Sequence, residues 1–277
     1  MISNKDIHLF EDRQRVLLHM NEFICLRPHP SLQAYISNYN ITFPAKGLMS
    51  DNFTSMPCGC ATISIEVGSK NLYVNLDGPI TKPYIIGSQT SQLKMAVTIE
   101  FKPAGLFALT GISQNELADV SIPFDGVHTK LSRLIATAIE KAKSTRELVD
   151  NIDMLLIENM YTDLHPQLVY ALKNIVGCAG NISVRKLSGD IHYSERQLNR
   201  ICNQHLGMGA KSFSRIVRIN KAFHLLKKPN TNIAFVSDVM GFHDLSHFVR
   251  DFRLVSGITP QEFRKNLSDF YINPTKF

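Results

Sequence analysis

The spacing of apolar residues divides the chain into two regions. In the first, apolar and polar positions alternate. Ala61 to Val67 places Ile63, Ile65 and Val67 on one side, and Leu72, Val74 and Leu76 follow the same rule. Leu93, Met95, Val97, Ile99 and Phe101 extend it. A period of two predicts strands with one apolar face. Gly and Pro fall between these runs, at Pro57, Gly59, Gly68, Gly78, Pro79, Pro83 and Gly87, where turns use them. Residues 1 to about 125 therefore read as an antiparallel sheet or a small barrel.

Helical spacing takes over after Phe101. Pro103 to Leu109 is a short apolar helix opened by proline, and Ser113 with Glu116 has the spacing of a capping box. Thr129 to Lys143 carries Leu131, Leu134, Ile135, Ala138 and Ile139 on one stripe. Ser144 with Glu147 opens the next helix, with Leu148, Ile152, Leu155, Leu156 and Met160 aligned. This pair is expected to pack on its own domain, to hold two domains apart, or to form a homodimer contact.

From Pro166 the pattern is wholly helical. A first helix carries Leu168, Leu172, Ile175 and Val176 and ends at Gly177 and Gly180. Asn181 or Ser183 caps a short second helix through Leu187 and Ser188. After a tight turn, Ser194 caps a helix from Glu195 to Leu206. Its core stripe is Leu198, Ile201, Cys202 and Leu206, and its polar face is Glu195, Arg196, Asn199, Arg200 and Asn203. Arginine and asparagine are the side chains that read guanine and adenine edges. A long helix then runs from Gly209 or Lys211 to Leu226, stopped by Pro229. The short–turn–long pattern repeats: Asn232 to Met240, a break at Gly241, then Asp244 capping Leu245 to Val255. Thr259-Pro260 opens a last helix to Asn266. Two helix-turn-helix units joined by a rigid helix can enter major-groove segments about 34 Å apart on one face of DNA.

Charge supports this division. Residues 166–268 hold 15 Lys and Arg against 6 Asp and Glu, a net +9, while the rest of the chain is net −3. Clustered basic charge is the footprint of a domain that meets phosphates. No apolar run reaches the ~18 residues of a membrane span. The opening MISNKDIHLFEDRQR lacks an apolar signal core, so a cytoplasmic protein with no membrane partner is expected. Five scattered cysteines suggest no disulfide framework, and the Cys58/Cys60 pair alone is a weak metal or redox signal. No histidine lies between Pro30 and Val127, and no G-x-S-x-G, P-loop or H-E-x-x-H occurs. The expectation is a chain that is not an enzyme and holds no cofactor or metal. His243 and His247 have metal-pair spacing, but two imidazoles alone are a poor site.

These residues resemble a known family. GFHDLSHFVRDFRLVSGITPQEFRK, from Gly241 to Lys265, is similar to the signature of the AraC/XylS family of bacterial transcription regulators. YSERQLNRICNQHLGMGAKSFSRIVRINKAFHLL, from Tyr193 to Leu226, resembles that family's first reading helix and linking helix. The resemblance covers about Pro166 to Asn266. It implies a seven-helix DNA-binding domain, double-stranded operator or promoter DNA as partner, and RNA polymerase as a second. By motif position it implies base contacts from Arg196, Asn199 and Arg200 in the first unit, and from Leu245, Ser246, His247 and Arg250 in the second. Backbone contacts fall on Lys211, Ser212, Arg218 and Arg253, with bracing of the two units as the alternative role for Arg218. Cys202 stands where the family usually has an apolar aromatic. MPCGCATISIEVG and IEFKPAGLFALTGISQNELADVSIPFD resemble a sensor-like domain of one subset of the family, in which the position of Cys58 is often acidic. Such domains commonly bind a small-molecule effector in a cupin-like barrel and mediate dimerisation.

The resulting organisation is α+β with two domains: a β-rich sensor at 1–127, linker or dimerisation helices at 128–163, a DNA-binding domain at 164–268, and a tail at 269–277. The expected function is an effector-controlled, sequence-specific transcription regulator, either an activator or a repressor. The first unit, with two arginines and an asparagine, is expected to set more of the sequence choice. Two other readings compete. One is a redox or metal sensor using Cys58 and Cys60. The other is a DNA-repair methyl acceptor, which lacks the four-cysteine metal site that would activate its thiolate.

Overall fold

The computed structural model describes residues 1–45, 50–87 and 92–271. A short helix α1 (Asn4–His8) precedes strands β1 (Val16–Met20), β2 (Phe23–Leu26), β3 (Ile36–Thr42), β4 (Thr54–Ser55), β5 (Thr62–Val67), β6 (Leu72–Asp77), β7 (Tyr84–Ile85) and β8 (Met95–Phe101). Helix α2 (Gly105–Thr110), strand β9 (Ser121–Pro123) and helices α3 (Asp125–Lys141) and α4 (Thr145–Glu158) follow. Seven strands form one antiparallel sheet in the order β1-β2-β3-β8-β5-β6-β9. Among the described residues β1 and β9 do not pair, so of the two forms expected, an antiparallel sheet or a small barrel, these residues form the open sheet. The antiparallel strands read from alternation are β5, β6 and β8. The capping-box reading at Ser113 gives only a 3-10 turn, Gln114–Glu116, without a side-chain cap. The left-handed backbone at Asp119 (φ 57°) turns the chain before a helix can grow.

The two faces of the sheet differ in chemistry. One carries Ile24, Tyr39, Ile41, Ile63, Ile65, Leu76, Val97 and Ile99, all buried in one apolar core with Leu131, Ile135, Ile139, Leu148, Ile152 and Leu156 of α3 and α4. The apolar stripes of these two helices thus lie in the core of the sheet domain. A bulge between Ile36 and Asn38 keeps both Ile36 and Tyr39 on the core side. The opposite face is polar and runs in cross-strand rows. Asn38, Glu100, Thr62 and Asp77 pair in register across β3, β8, β5 and β6; Asn40, Thr98, Ser64 and Asn75 form the next row. Asn38, Asn40, Thr62 and Glu100 on this face are nonetheless buried. Side-chain bonds run along it, from Asn38 to Asn40 (2.9 Å) and from Asn40 to Thr98 (3.0 Å), as burial of polar groups requires.

After α4 come seven helices among the described residues: α5 (Pro166–Gly177), α6 (Val184–Asp190), α7 (Glu195–Leu206), α8 (Ala210–Leu226), α9 (Ile233–Val239), α10 (Leu245–Ser256) and α11 (Pro260–Lys265). They enclose a second apolar core, with Phe213, Phe223, Phe248, Phe252 and Phe263 fully buried. The N-terminal segment around residues 56–60 reaches into this core. Met56 is buried in it, and Asn220 of α8 donates to the carbonyl of Pro57 at 2.7 Å. Gly207, at φ 72°, lies so close to the Gln114 carbonyl that a Cβ there would sit 2.6 Å from it. Phe107 stacks on His205 with ring centroids 3.9 Å apart. The segment read as a tail is not free throughout: β10 (Phe270–Tyr271) pairs in parallel with β4, and residues 272–277 lie outside the described residues.

Candidate nucleic-acid interface

Local capping sets both α7 and α10. Ser194 Oγ accepts from the amide of Gln197 at 3.1 Å and starts α7; Gly207 stops it in the left-handed conformation. Leu198, Cys202 and Leu206 bury its inner face. The second unit repeats the device. Asn232 caps α9 through the amide of Ala234 (2.7 Å), and Asp244 caps α10 through that of His247 (2.7 Å). The backbone bond from His247 and the neighbouring His243 hold the Asp244 carboxyl below its ordinary range. A carboxylate at a helix start also suits the local dipole.

On α7, Arg196 and Arg200 are exposed. Asn199 is half-buried and engaged: its Nδ2 donates to the Glu195 carbonyl (3.0 Å), and its Oδ1 accepts from the amide of Ala210 (3.1 Å). It therefore helps to cap α8. On α10, Leu245, Ser246 and Arg250 are exposed, while His247 is half-buried against the Phe242 ring and 3.8 Å from Asp251. His243 projects outward and bonds Asp244, so it does not converge with His247. Lys211, Ser212 and Arg253 are exposed.

Between the two units lies a groove of about 1030 Å³. Lys211, Arg218, Arg250 and Arg253 line it, joined by Arg185 and Arg215, which the sequence reading did not single out. A signal for Arg215 existed: Lys211, Arg215 and Arg218 stand at i, i+4 and i+7 on one helix face. Glu195 and Asp251 are the acidic members of the same wall. Asp251 is nearly buried and pairs with Arg215 at 3.3 Å, tying α8 to α10. Arg218 donates to the Gly180 carbonyl (2.9 Å), and its guanidinium lies over the Phe242 ring at 5.1 Å. It thus bridges the loop ahead of α6 and the turn ahead of α10, by a hydrogen bond and ring contact instead of a salt bridge. Gly180 is required there, since a Cβ would stand 2.1 Å from the Ser214 carbonyl.

Four of the five thiols are buried, and Cys178 is exposed. Cys25 and Cys202 are pushed up to about 12 by burial. Cys58 and Cys60 are buried, each with its sulfur toward the other's carbonyl at 3.8 and 3.4 Å. Among the described residues no group of three or more His, Cys, Asp or Glu side chains is placed to hold a metal ion, and no helix is long and apolar enough to cross a membrane.

Comparison with known proteins agrees with this geometry. Residues 187–266 match a family model described as a helix-turn-helix domain. Residues 25–123 match a domain of unknown function, DUF6597. The chain is similar to the HTH-type transcriptional regulator YisR of Bacillus subtilis, 29% identical over 86 residues, covering 31% of this chain and 30% of that protein. It is similar to the activator RhaS of Escherichia fergusonii, 33% identical over 72 residues, covering 26% of each. The matched segments thus span less than a third of these relatives' length. Among solved structures, an AraC-type regulator from Chromobacterium violaceum is 28% identical, covering 36% of this chain and 90% of that one, at a TM-score of 0.34. ToxT of Vibrio cholerae covers 83% of this chain and 93% of its own at 13% identity and a TM-score of 0.41. At these TM-scores the overlays establish no common arrangement of whole chains. Residues 187–266 are thus similar to a helix-turn-helix domain that transcriptional regulators share.

Proposed function

We propose that the protein is a sequence-specific, double-stranded-DNA-binding transcription regulator whose N-terminal domain controls DNA binding in response to a small effector. The observation that carries this reading is the basic groove flanked by two capped, outward-facing reading helices. DNA laid across both units sets α7 and α10 into successive major-groove segments, and the intervening phosphates run over the groove. Arg196, Arg200, Ser246 and Arg250 then read base edges, with Leu245 in apolar contact. Asn199 and His247 read bases only by giving up the intramolecular contacts they hold. Lys211, Ser212 and Arg253 bind phosphates together with Arg185 and Arg215. Arg218 serves chiefly as the brace between units. We place the domain boundary between α4 and α5, with residues 128–163 belonging to the sensor, because the stripes of α3 and α4 lie in its core. A regulator of this kind works in the cytoplasm and answers to RNA polymerase. Homodimerisation would use faces other than those buried stripes. The buried, carbonyl-bonded Cys58 and Cys60 give no support to the redox or metal reading or to methyl acceptance.

The test is binding of the full chain to its own upstream DNA and to random duplex at about 0.15 M salt, with salt varied to count phosphates released. Tight binding to a subset of upstream duplexes, with a steep salt slope, is expected. Equal affinity for all duplexes would remove the sequence-specific reading.

A further inference from the structure

Helices α7 and α10 repeat each other at an offset of fifty positions. Ser194 and Asp244 cap them through the amides of Gln197 and His247. Both helices run for 12 residues, and Gly207 and Gly257 stop them in the left-handed conformation, at φ 72° and 75°. Leu198 and Cys202 are buried on α7 as Phe248 and Phe252 are on α10. The offset therefore pairs their outward side chains: Arg196 with Ser246, Arg200 with Arg250 and, at the first position of each helix, Glu195 with Leu245.

Glu195 is the acidic member of that set. It is exposed, and its backbone carbonyl accepts from Asn199. Among the described residues no hydrogen bond or ion pair engages its carboxylate. It nevertheless lines the groove that Arg185, Lys211, Arg215, Arg218, Arg250 and Arg253 make basic. Asp251, the other carboxylate of that wall, is held by Arg215 at 3.3 Å. Ser194 already supplies the cap, so α7 starts without help from the Glu195 side chain.

We propose that Glu195 is a specificity-determining residue that accepts a hydrogen bond from the exocyclic amine of a cytosine in the major-groove segment entered by α7. The contact rests on the DNA-reading role proposed above. The N-terminal residues of a reading helix are the ones that meet base edges. An ionised carboxylate can only accept. In the major groove guanine offers acceptors, and thymine an acceptor and a methyl group; the donors are the amines of cytosine and adenine. Adenine sets its N7 acceptor beside that amine, and N7 repels a carboxylate. Cytosine alone suits it. Phosphate oxygens repel the carboxylate too, so Glu195 weakens binding to duplexes that lack the amine. Leu245, its counterpart on α10, offers an apolar contact that suits a thymine methyl. The repeat thus asks for different bases at the same place in the two segments.

The test uses the full chain at about 0.15 M salt. Duplexes selected from a random pool define the parent protein's preferred site, and single-base variants of that site are compared by competition. One position in the α7 segment should be cytosine, preferred about ten-fold over each other base, as for one good base contact. Glu195→Ala should remove that preference, leave other positions as they were, and bind mismatched duplexes at least as tightly as the parent. Glutamine both accepts and donates and suits the adenine edge, so Glu195→Gln should move the preference at that position from cytosine to adenine. Urea midpoints followed by circular dichroism check that both variants fold. Base choice unchanged at every position in both variants, or equal weakening of all duplexes, overturns the contact. So does a lowered midpoint with unchanged base choice, which leaves Glu195 only a charge at the helix start. Arg250→Ala separates this failure from failure of the DNA-reading role. If Arg250→Ala relaxes one position while both Glu195 variants keep the parent's choice, DNA reading stands and the Glu195 contact falls. If the parent selects no sequence, both fall.

Discussion

Replacing Asn220 by alanine should loosen the N-terminal domain from the DNA-binding domain. Asn220 is 3% exposed, and its Nδ2 donates to the Pro57 carbonyl at 2.7 Å and to Ile216 O at 2.9 Å within α8. The Ile216 carbonyl lies within the helix ladder, so losing the second bond costs little. The Pro57 bond is the important one. The missing net hydrogen bond costs about 1 kcal/mol, and a buried carbonyl left without a donor adds about 1–3 kcal/mol. A total of about 2–4 kcal/mol would shift the balance between docked and undocked segments roughly 30-fold or more. Hydrogen exchange in residues 56–60 and in α8 reports the docking, and urea unfolding followed by circular dichroism reports stability, since the chain has no tryptophan. The expected outcome is faster exchange at 56–60 with a lowered unfolding midpoint. Exchange and midpoint both matching the parent protein would show that this bond does not hold the two halves together.

Four further outcomes are expected. Arg196→Ala and Arg250→Ala should each cost about 1–3 kcal/mol on the preferred operator and relax sequence choice, while Lys211→Ala and Arg215→Ala should weaken all duplexes alike and shallow the salt slope; competition binding with base-substituted duplexes decides, and equal losses throughout would refute the division. Asn199→Ala should cost about 1 kcal/mol of stability as a lost helix cap, seen in urea unfolding, and reduce affinity for every sequence; a change confined to one base position would instead make Asn199 a reader. His205, stacked on Phe107, is held below its ordinary pKa chiefly by burial, with His165 adding to it. Its neutral form favours the folded state, so that contribution is complete above about pH 6.5 and is lost as pH falls from there toward the folded-state value; unfolding midpoints at pH 7.5 and 5.5 should differ less in His205→Gln, and an unchanged difference would remove His205 from the effect. A Cys58→Ser/Cys60→Ser double variant should keep its DNA affinity with or without oxidant, measured by anisotropy; an oxidant response lost in the variant would restore the redox reading.

The sequence by itself determined the C-terminal helices and their caps, because these depend on near neighbours. Ser194, Asp244 and Thr259 bond amides three residues on, and the glycine and proline stops act within a turn. It also determined the apolar faces of β5, β6 and β8, where alternation is unbroken. It did not make β3 equally plain. The bulge at Ser37 breaks the period, and Asn38 and Asn40 are polar although buried. Strand order, and hence whether the sheet closes, depends on pairings far apart in sequence that no local pattern encodes. Only the tertiary structure decided which helix faces were occupied. It turned Asn199 toward Ala210, set Arg218 on Gly180 and Phe242, and brought Arg185 from α6 and Arg215 from α8 to one groove. Residue type and spacing say which chemistry a side chain offers; which neighbour claims it first is settled by packing.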